Sequence, residues 1–188
     1  MVTSEGAAMS PVPRDVMSAE VRAAIERHDE WDAMHEFVTL HWDGEHLSYG
    51  TVGIIDPAFH PTQYGKLMAR LAAEQIGREP GKPPYAYLLQ IEGFGVPEPP
   101  PSATDEERAQ FNRDRIGRTF HQRADAHEFA QAWCADIHGR LWSATKRRDR
   151  PDDIQVKFYR PGAAPSGQMI EALLAVAAAT GSLQAGAN

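Results

Sequence analysis

The stretch His127–Arg147, HEFAQAWCADIHGRLWSATKR, decides how the rest of the chain is read. Its two halves are rich in apolar and aromatic residues, and His138-Gly139 lies between them. Two such runs around a short glycine turn predict a β-hairpin, His127–Asp136 with Arg140–Arg147. Trp133 and Trp142 stand on opposite arms of this hairpin and are expected to meet as a cross-strand pair. Cys134 sits mid-strand beside Ala132 and is expected to be an inert core thiol.

Outward from that hairpin, YAYLLQIEGF (85–94) is the clearest single strand. By alternation, Tyr85, Tyr87, Leu89 and Ile91 face one way and Ala86, Leu88, Gln90 and Glu92 the other. His35–Asp56 reads as a further hairpin turning at Asp43-Gly44, and Gly50 and Gly53 mark a bulge or close contact in its second strand. Gln155–Tyr159 is expected to add one short strand. Helices flank the strands. Ser18 is read as the cap of a helix running to about Asp32. Pro61 opens a second helix, which Gly77 and Pro80 end. Thr104-Asp-Glu-Glu107 is a capping box that starts a highly charged surface helix. Ser166-Gly167 opens a last, alanine-rich helix.

These elements predict an α+β fold with a mainly antiparallel sheet of five or six strands, built from two hairpins and a central strand and covered by helices. The order, α-β-β-α-β-(α)-β-β-(β)-α, resembles that of roadblock/longin-type domains. That resemblance is one of order alone, and it implies a binding module. Residues 1–17 read as a flexible arm and 18–181 as a single domain. A proline-rich excursion occupies 95–118, and 182–188 read as a flexible tail.

Composition narrows the function. At 188 residues with 42% apolar and 24% charged residues, the chain buries a core without disulfides. Its one cysteine excludes an internal disulfide and a cysteine-based zinc site. No basic and apolar leader opens the chain, and no apolar run reaches the roughly 20 residues that span a bilayer. A cytoplasmic location is the expectation. The net charge of −7 disfavours nucleic acid over the surface as a whole. Residues 140–160, however, carry seven basic against three acidic side chains. Arginine outnumbers lysine 15 to 4, the usage of a high-GC genome such as an actinobacterium's or one of its phages'.

The chemistry-bearing residues form no recognised motif. Among eight histidines, His41 and His46 flank a turn near Asp43 and Glu45, and His121, Asp125, His127 and Glu128 make a second loose group. Neither has metal-ligand spacing, and no metal or other cofactor is expected. Gly93-Phe94-Gly95 lacks the remaining parts of a phosphate loop, and the prolines that follow remove amide donors. Adjacent acids such as Asp152-Asp153 read as solvated faces. Lys146, Arg147, Arg148 and Arg150, with Trp142 and Tyr159 nearby, are the candidate binding residues. An edge strand guarded by charge is the plainer account of them.

The expected function is therefore a non-catalytic module for an unidentified protein partner, with self-association as an option. It would bind through a sheet edge, the basic strip or the proline arm. The alternative is a small enzyme whose site forms only in three dimensions around Glu92, His41, His46, His127 and Tyr87. Nucleic-acid binding through Lys146–Arg150 is a weaker third reading.

Overall fold

The computed structural model describes residues 10–56, 61–79 and 82–186. In chain order the elements are α1 (Arg14–Glu26), β1 (His35–Trp42), β2 (Leu47–Ile55), α2 (Pro61–Arg78), β3 (Ala86–Gly95) and α3 (Asp105–Gly117). A short 3-10 turn (Phe120–Gln122), β4 (His127–Asp136), β5 (Leu141–Arg147), β6 (Arg150–Tyr159) and α4 (Gln168–Gly186) follow. The strands make one antiparallel sheet in the order β2-β1-β3-β4-β5-β6. The α+β architecture expected from the sequence is the one found.

Helices cover the two faces of the sheet unequally. On one face α1 alone packs against β3 to β6, through Met17, Val21, Ala24 and Ile25. Their spacing, i, i+4, i+7 and i+8, is one face of a helix. On the other face α2 and α4 pack against each other and the sheet, burying Tyr64, Met68, Ala72, Leu173, Val176 and Ala177. The central strands β3 and β4 are thus buried on both sides. Tyr87, Leu89 and Ile91 face α2 and α4, while Ala86 and Leu88 face α1.

Several expectations need correction. Helix α1 begins at Arg14, capped by Pro13 rather than Ser18, and ends at Glu26 rather than near Asp32. Val12 and Met17, expected in a mobile arm, are fully buried, because Tyr85 Oη accepts the Val12 N–H at 3.0 Å and Met17 lies against Cys134. Residues 1–9 of that arm lie outside the described residues. Tyr85 precedes β3 and joins the α1-side core, opposite to the face that alternation assigned it. Trp133 and Trp142 do not pair. Trp133 stands opposite Ser143, and Trp142 opposite Cys134. This one-residue offset sends them to opposite faces, where Trp133 packs near Tyr159 and Trp142 against Phe158.

Strand β6 starts at Arg150, five residues earlier than expected, since an edge strand tolerates Pro151 and two aspartates. Helix α4 continues past Gly181 to Gly186. There Gly181 sits against the Ile137 carbonyl, where a Cβ would come to 2.9 Å, and Gln184 Nε2 donates to Pro84 O at 3.1 Å. Residues 182–186 of the expected tail are thus helical and docked through Gln184, while 187–188 lie outside the described residues. By length and composition α4 is apolar enough to cross a membrane, yet Leu173, Val176, Ala177 and Thr180 are buried against the rest of the fold. The expected bulge in β2 is present: the register with β1 shifts between Val38–Val52 and Leu40–Tyr49. Gly50 fits there because a Cβ would strike Thr39 and His41.

Candidate functional site

The predicted basic strip does not form a surface patch. Lys146 is 5% exposed and donates from Nζ to the His28 carbonyl at 2.6 Å, closing the end of α1. Trp142 is wholly buried. Arg147 pairs with Asp149 at 2.7 Å, and Arg148 pairs with Glu128 at 2.7 Å while its guanidinium lies 5.4 Å from the Trp31 ring. Arg150 stands opposite Arg147 on the edge strand, and Tyr159 packs on the opposite face from Trp142. Alternation along β5 and β6 separates residues that sequence proximity had grouped.

Glu92 is the centre of a polar junction, but with partners other than those expected. Its carboxylate accepts the Asp32 N–H at 2.7 Å and the Ala33 N–H at 3.3 Å. Its Oε1 lies 2.8 Å from His28 Nε2, in close contact but off the line of a hydrogen bond. His28 Nδ1 accepts from Gln90 Nε2 at 2.6 Å. The Glu92 N–H donates to His35 Nε2 at 3.2 Å, and His35 Nδ1 meets Tyr64 Oη at 2.5 Å. Because Nε2 must accept from an amide, His35 is the neutral Nδ1–H tautomer. Burial lowers its pKa to about 4. Both nitrogens of His35 and both oxygens of Glu92 are occupied. The junction pins the turn after α1, with Asp32 at φ 66°, onto β3.

The strand residues proposed as catalytic partners lie elsewhere. His41 is six residues along β1 from His35, roughly 20 Å away by strand rise. It is half-buried, and burial lowers its pKa. His46 is in the exposed turn, 3.8 Å from Asp43. His127 pairs with Gly95, three residues beyond Glu92, and alternation turns it to the other face. Tyr87 is buried, with its hydroxyl 2.7 Å from Thr180 Oγ1 and its ring stacked on Phe37. Cys134 is buried 3.7 Å from Met17 Sδ, and burial pushes its thiol pKa up, away from thiolate chemistry.

Asp32, Glu92 and Glu128 bring their carboxylates within 4.8 Å of one another. Arg148 already supplies the positive charge there through Glu128, and Glu92 is saturated by amides. A cation would have to displace both sets of contacts. In the second loose group, Arg123 holds Asp125 through two contacts of 2.8 Å, and His121 packs against Phe94.

Two concavities among the described residues bear on these side chains. The first, about 620 Å³, runs between the end of α1 and the β1–β2 face, floored by Val38 and Leu88 and walled by Arg27, Glu36 and Tyr49. It exists because α1 sits over β3 to β6 and leaves β1 and β2 open on that side. Two exposed apolar residues of β2 share this face by their register with β1: Tyr49 (47% exposed) and Ile54 (55%). The bulge puts Tyr49 and Ile54 on the same side despite their odd separation. The second concavity, about 490 Å³, lies between the end of β3 and the excursion that carries α3, and includes Phe94, Arg115, Arg118 and His121. The sequence placed Ile54, Arg115 and Arg118 in no site. The one signal for the last two was their i, i+3 spacing on a surface helix.

No protein-family model matches this chain, and comparison with curated proteins and with solved structures gives no significant match. The functional reading rests on geometry.

Proposed function

We propose that this domain is a non-catalytic interaction module that receives an extended segment of a partner protein along β2. The observation that carries this reading is the contrast between the sheet's two edges. Strand β6 is guarded in the usual way, by Pro151, Asp152, Asp153 and Lys157. Strand β2, LSYGTVGII, has no charge and no proline. Its bulge bends the edge near Gly50 and leaves 52–55 as the straight half available for pairing. Beside that half lie the groove and the exposed Tyr49 and Ile54. Strand addition draws affinity from main-chain hydrogen bonds and specificity from pockets that take alternate side chains. Here the groove has an apolar floor, Val38 and Leu88, under polar walls that include Arg27 and Glu36, so the partner segment would be a β-forming stretch that carries both apolar and polar side chains.

Ile54→Lys tests the proposal. Its side chain already faces solvent, so a lysine there blocks strand pairing without emptying the core. The expected result is a protein with an unchanged thermal midpoint that no longer retains the partner captured by the unaltered domain at moderate salt. Arg147→Glu with Arg150→Glu should leave capture undiminished. Equal capture by the Ile54→Lys protein would remove β2 from the reading.

A further inference from the structure

The cleft under the excursion has an uneven distribution of satisfied charge. On its sheet side, Glu92 is held by two main-chain amides, Glu128 is paired with Arg148, and Asp32 adds an exposed third carboxylate within 4.8 Å of both. On its helix side, Arg115 and Arg118 make no side-chain hydrogen bond or ion pair among the described residues. Near this cleft Arg123 and Arg148 are each clamped to a carboxylate.

Arg118 is also placed at a conformational cost. It ends α3 in the left-handed region at φ 57°, a position that glycine fills without strain, and Gly117 falls one residue earlier, within the helix. Arg118 and His35 both line the cleft. The carboxyl end of α3 opposes an anion, but only with about half a charge, and the N–H groups of Arg118 and Thr119 already occupy two of its carbonyls. Two full guanidinium charges outweigh that half charge, and Arg148 offsets one of the three carboxylates on the sheet side. Beside them Phe94 is 44% exposed, with its ring 5.8 Å from that of His121. A volume of about 490 Å³ suits a small molecule.

We infer that this cleft binds a small organic anion, its carboxylate or phosphate gripped by Arg115 and Arg118 and its apolar or aromatic part laid on Phe94 and His121. Guanidinium groups hold either oxyanion in paired hydrogen bonds, and an aromatic wall adds to the binding of an apolar body. The inference is independent of the β2 surface.

Titration calorimetry with phenyl phosphate, benzoate, inorganic phosphate and benzyl alcohol tests it on the full chain. Phenyl phosphate or benzoate should bind saturably, and the tighter of the two identifies the oxyanion. Benzyl alcohol should not bind. Arg118→Gly should weaken the favoured anion by about tenfold or more while the thermal midpoint stays level or rises, which separates a missing contact from a damaged fold. Phe94→Ala should weaken phenyl phosphate or benzoate and leave inorganic phosphate unaffected. Ile54→Lys should change nothing. The inference is overturned if neither organic anion saturates, or if their binding survives both Arg118→Gly and Arg115→Gln. Inorganic phosphate binding as tightly as phenyl phosphate overturns the part assigned to Phe94.

Discussion

Arg118 and Asp136 act on stability in opposite directions, and both effects can be measured. Arg118 holds a left-handed backbone that glycine adopts freely, so Arg118→Gly should raise stability by about 1 kcal/mol in urea unfolding. Asp136 is wholly buried and accepts from Tyr85 Oη, the His138 and Arg140 amides, and the Arg140 guanidinium at 2.7 Å. The same guanidinium reaches the Val12 carbonyl at 3.0 Å. Burial and the neighbouring Asp136 charge push the Tyr85 pKa up to about 12. Asp136→Ala strands the half-buried Arg140 cation and the buried Tyr85 hydroxyl, and should cost about 3 kcal/mol, read from the same unfolding curves. His35 supplies a pH dependence. It stays neutral in the fold down to about pH 4, while in the unfolded chain it takes a proton below about 6.5. The unfolded state therefore binds the extra proton between those values. His35 contributes stability above pH 6.5, and that contribution falls away as the pH drops toward 4, by at most about 3 kcal/mol. Urea midpoints measured from pH 7 to 4 should show this slope, flattened in His35→Gln.

At the scale of elements, the excursion is separable from the sheet. None of the side chains of α3 is buried. Its order comes from its own interactions: the reciprocal Thr104–Glu107 cap, the Phe111–Phe120 ring pair at 5.3 Å, and Arg123 between Asp114 and Asp125. The strands it connects end side by side, with Gly95 opposite His127. Replacing residues 96–126 by a short glycine-containing turn should therefore leave the sheet folded. Stability should change by no more than about 2 kcal/mol, since a shorter loop recovers closure entropy that offsets the removal of the excursion's packing against the end of β3. Far-ultraviolet circular dichroism and a cooperative melt check this, and disappearance of the cooperative transition would show that the excursion supports the core. A capping box is a local signal, and it was legible in Thr104–Glu107 as sequence. The start of α1 was not, because nothing near Pro13 advertises a helix whose first turn is held by Met17 packing on Cys134.

For the molecule as a whole, one helix on one face and two on the other leave β1 and β2 half covered. This asymmetry is what the proposed β2 interface rests on. Amide exchange of the isolated domain should be fastest along β2 and slow in β3 and β4, which are paired on both sides and buried on both faces. Bound partner should slow exchange in 52–55 specifically. Protection appearing in β6 instead would relocate the interface to the other edge.

Sequence alone determined the fold class, the two hairpins, the central strand, the glycine bulge in β2 and the surface helix. Each rests on short-range physics: alternation, turn chemistry, capping and the conformational freedom of glycine. Tertiary structure decided which residues could serve a function. Lys146 and Trp142 were drawn inward, and Trp133 was turned away from Trp142 by one residue of register. Glu92 was given His28 and His35 in place of His41 and His127. Arg115 and Arg118 were brought over Phe94 by a connection with no part in the core. Register and helix placement depend on burial summed over the whole sheet, and a shift of one residue exchanges its faces. No local window of sequence carries that information.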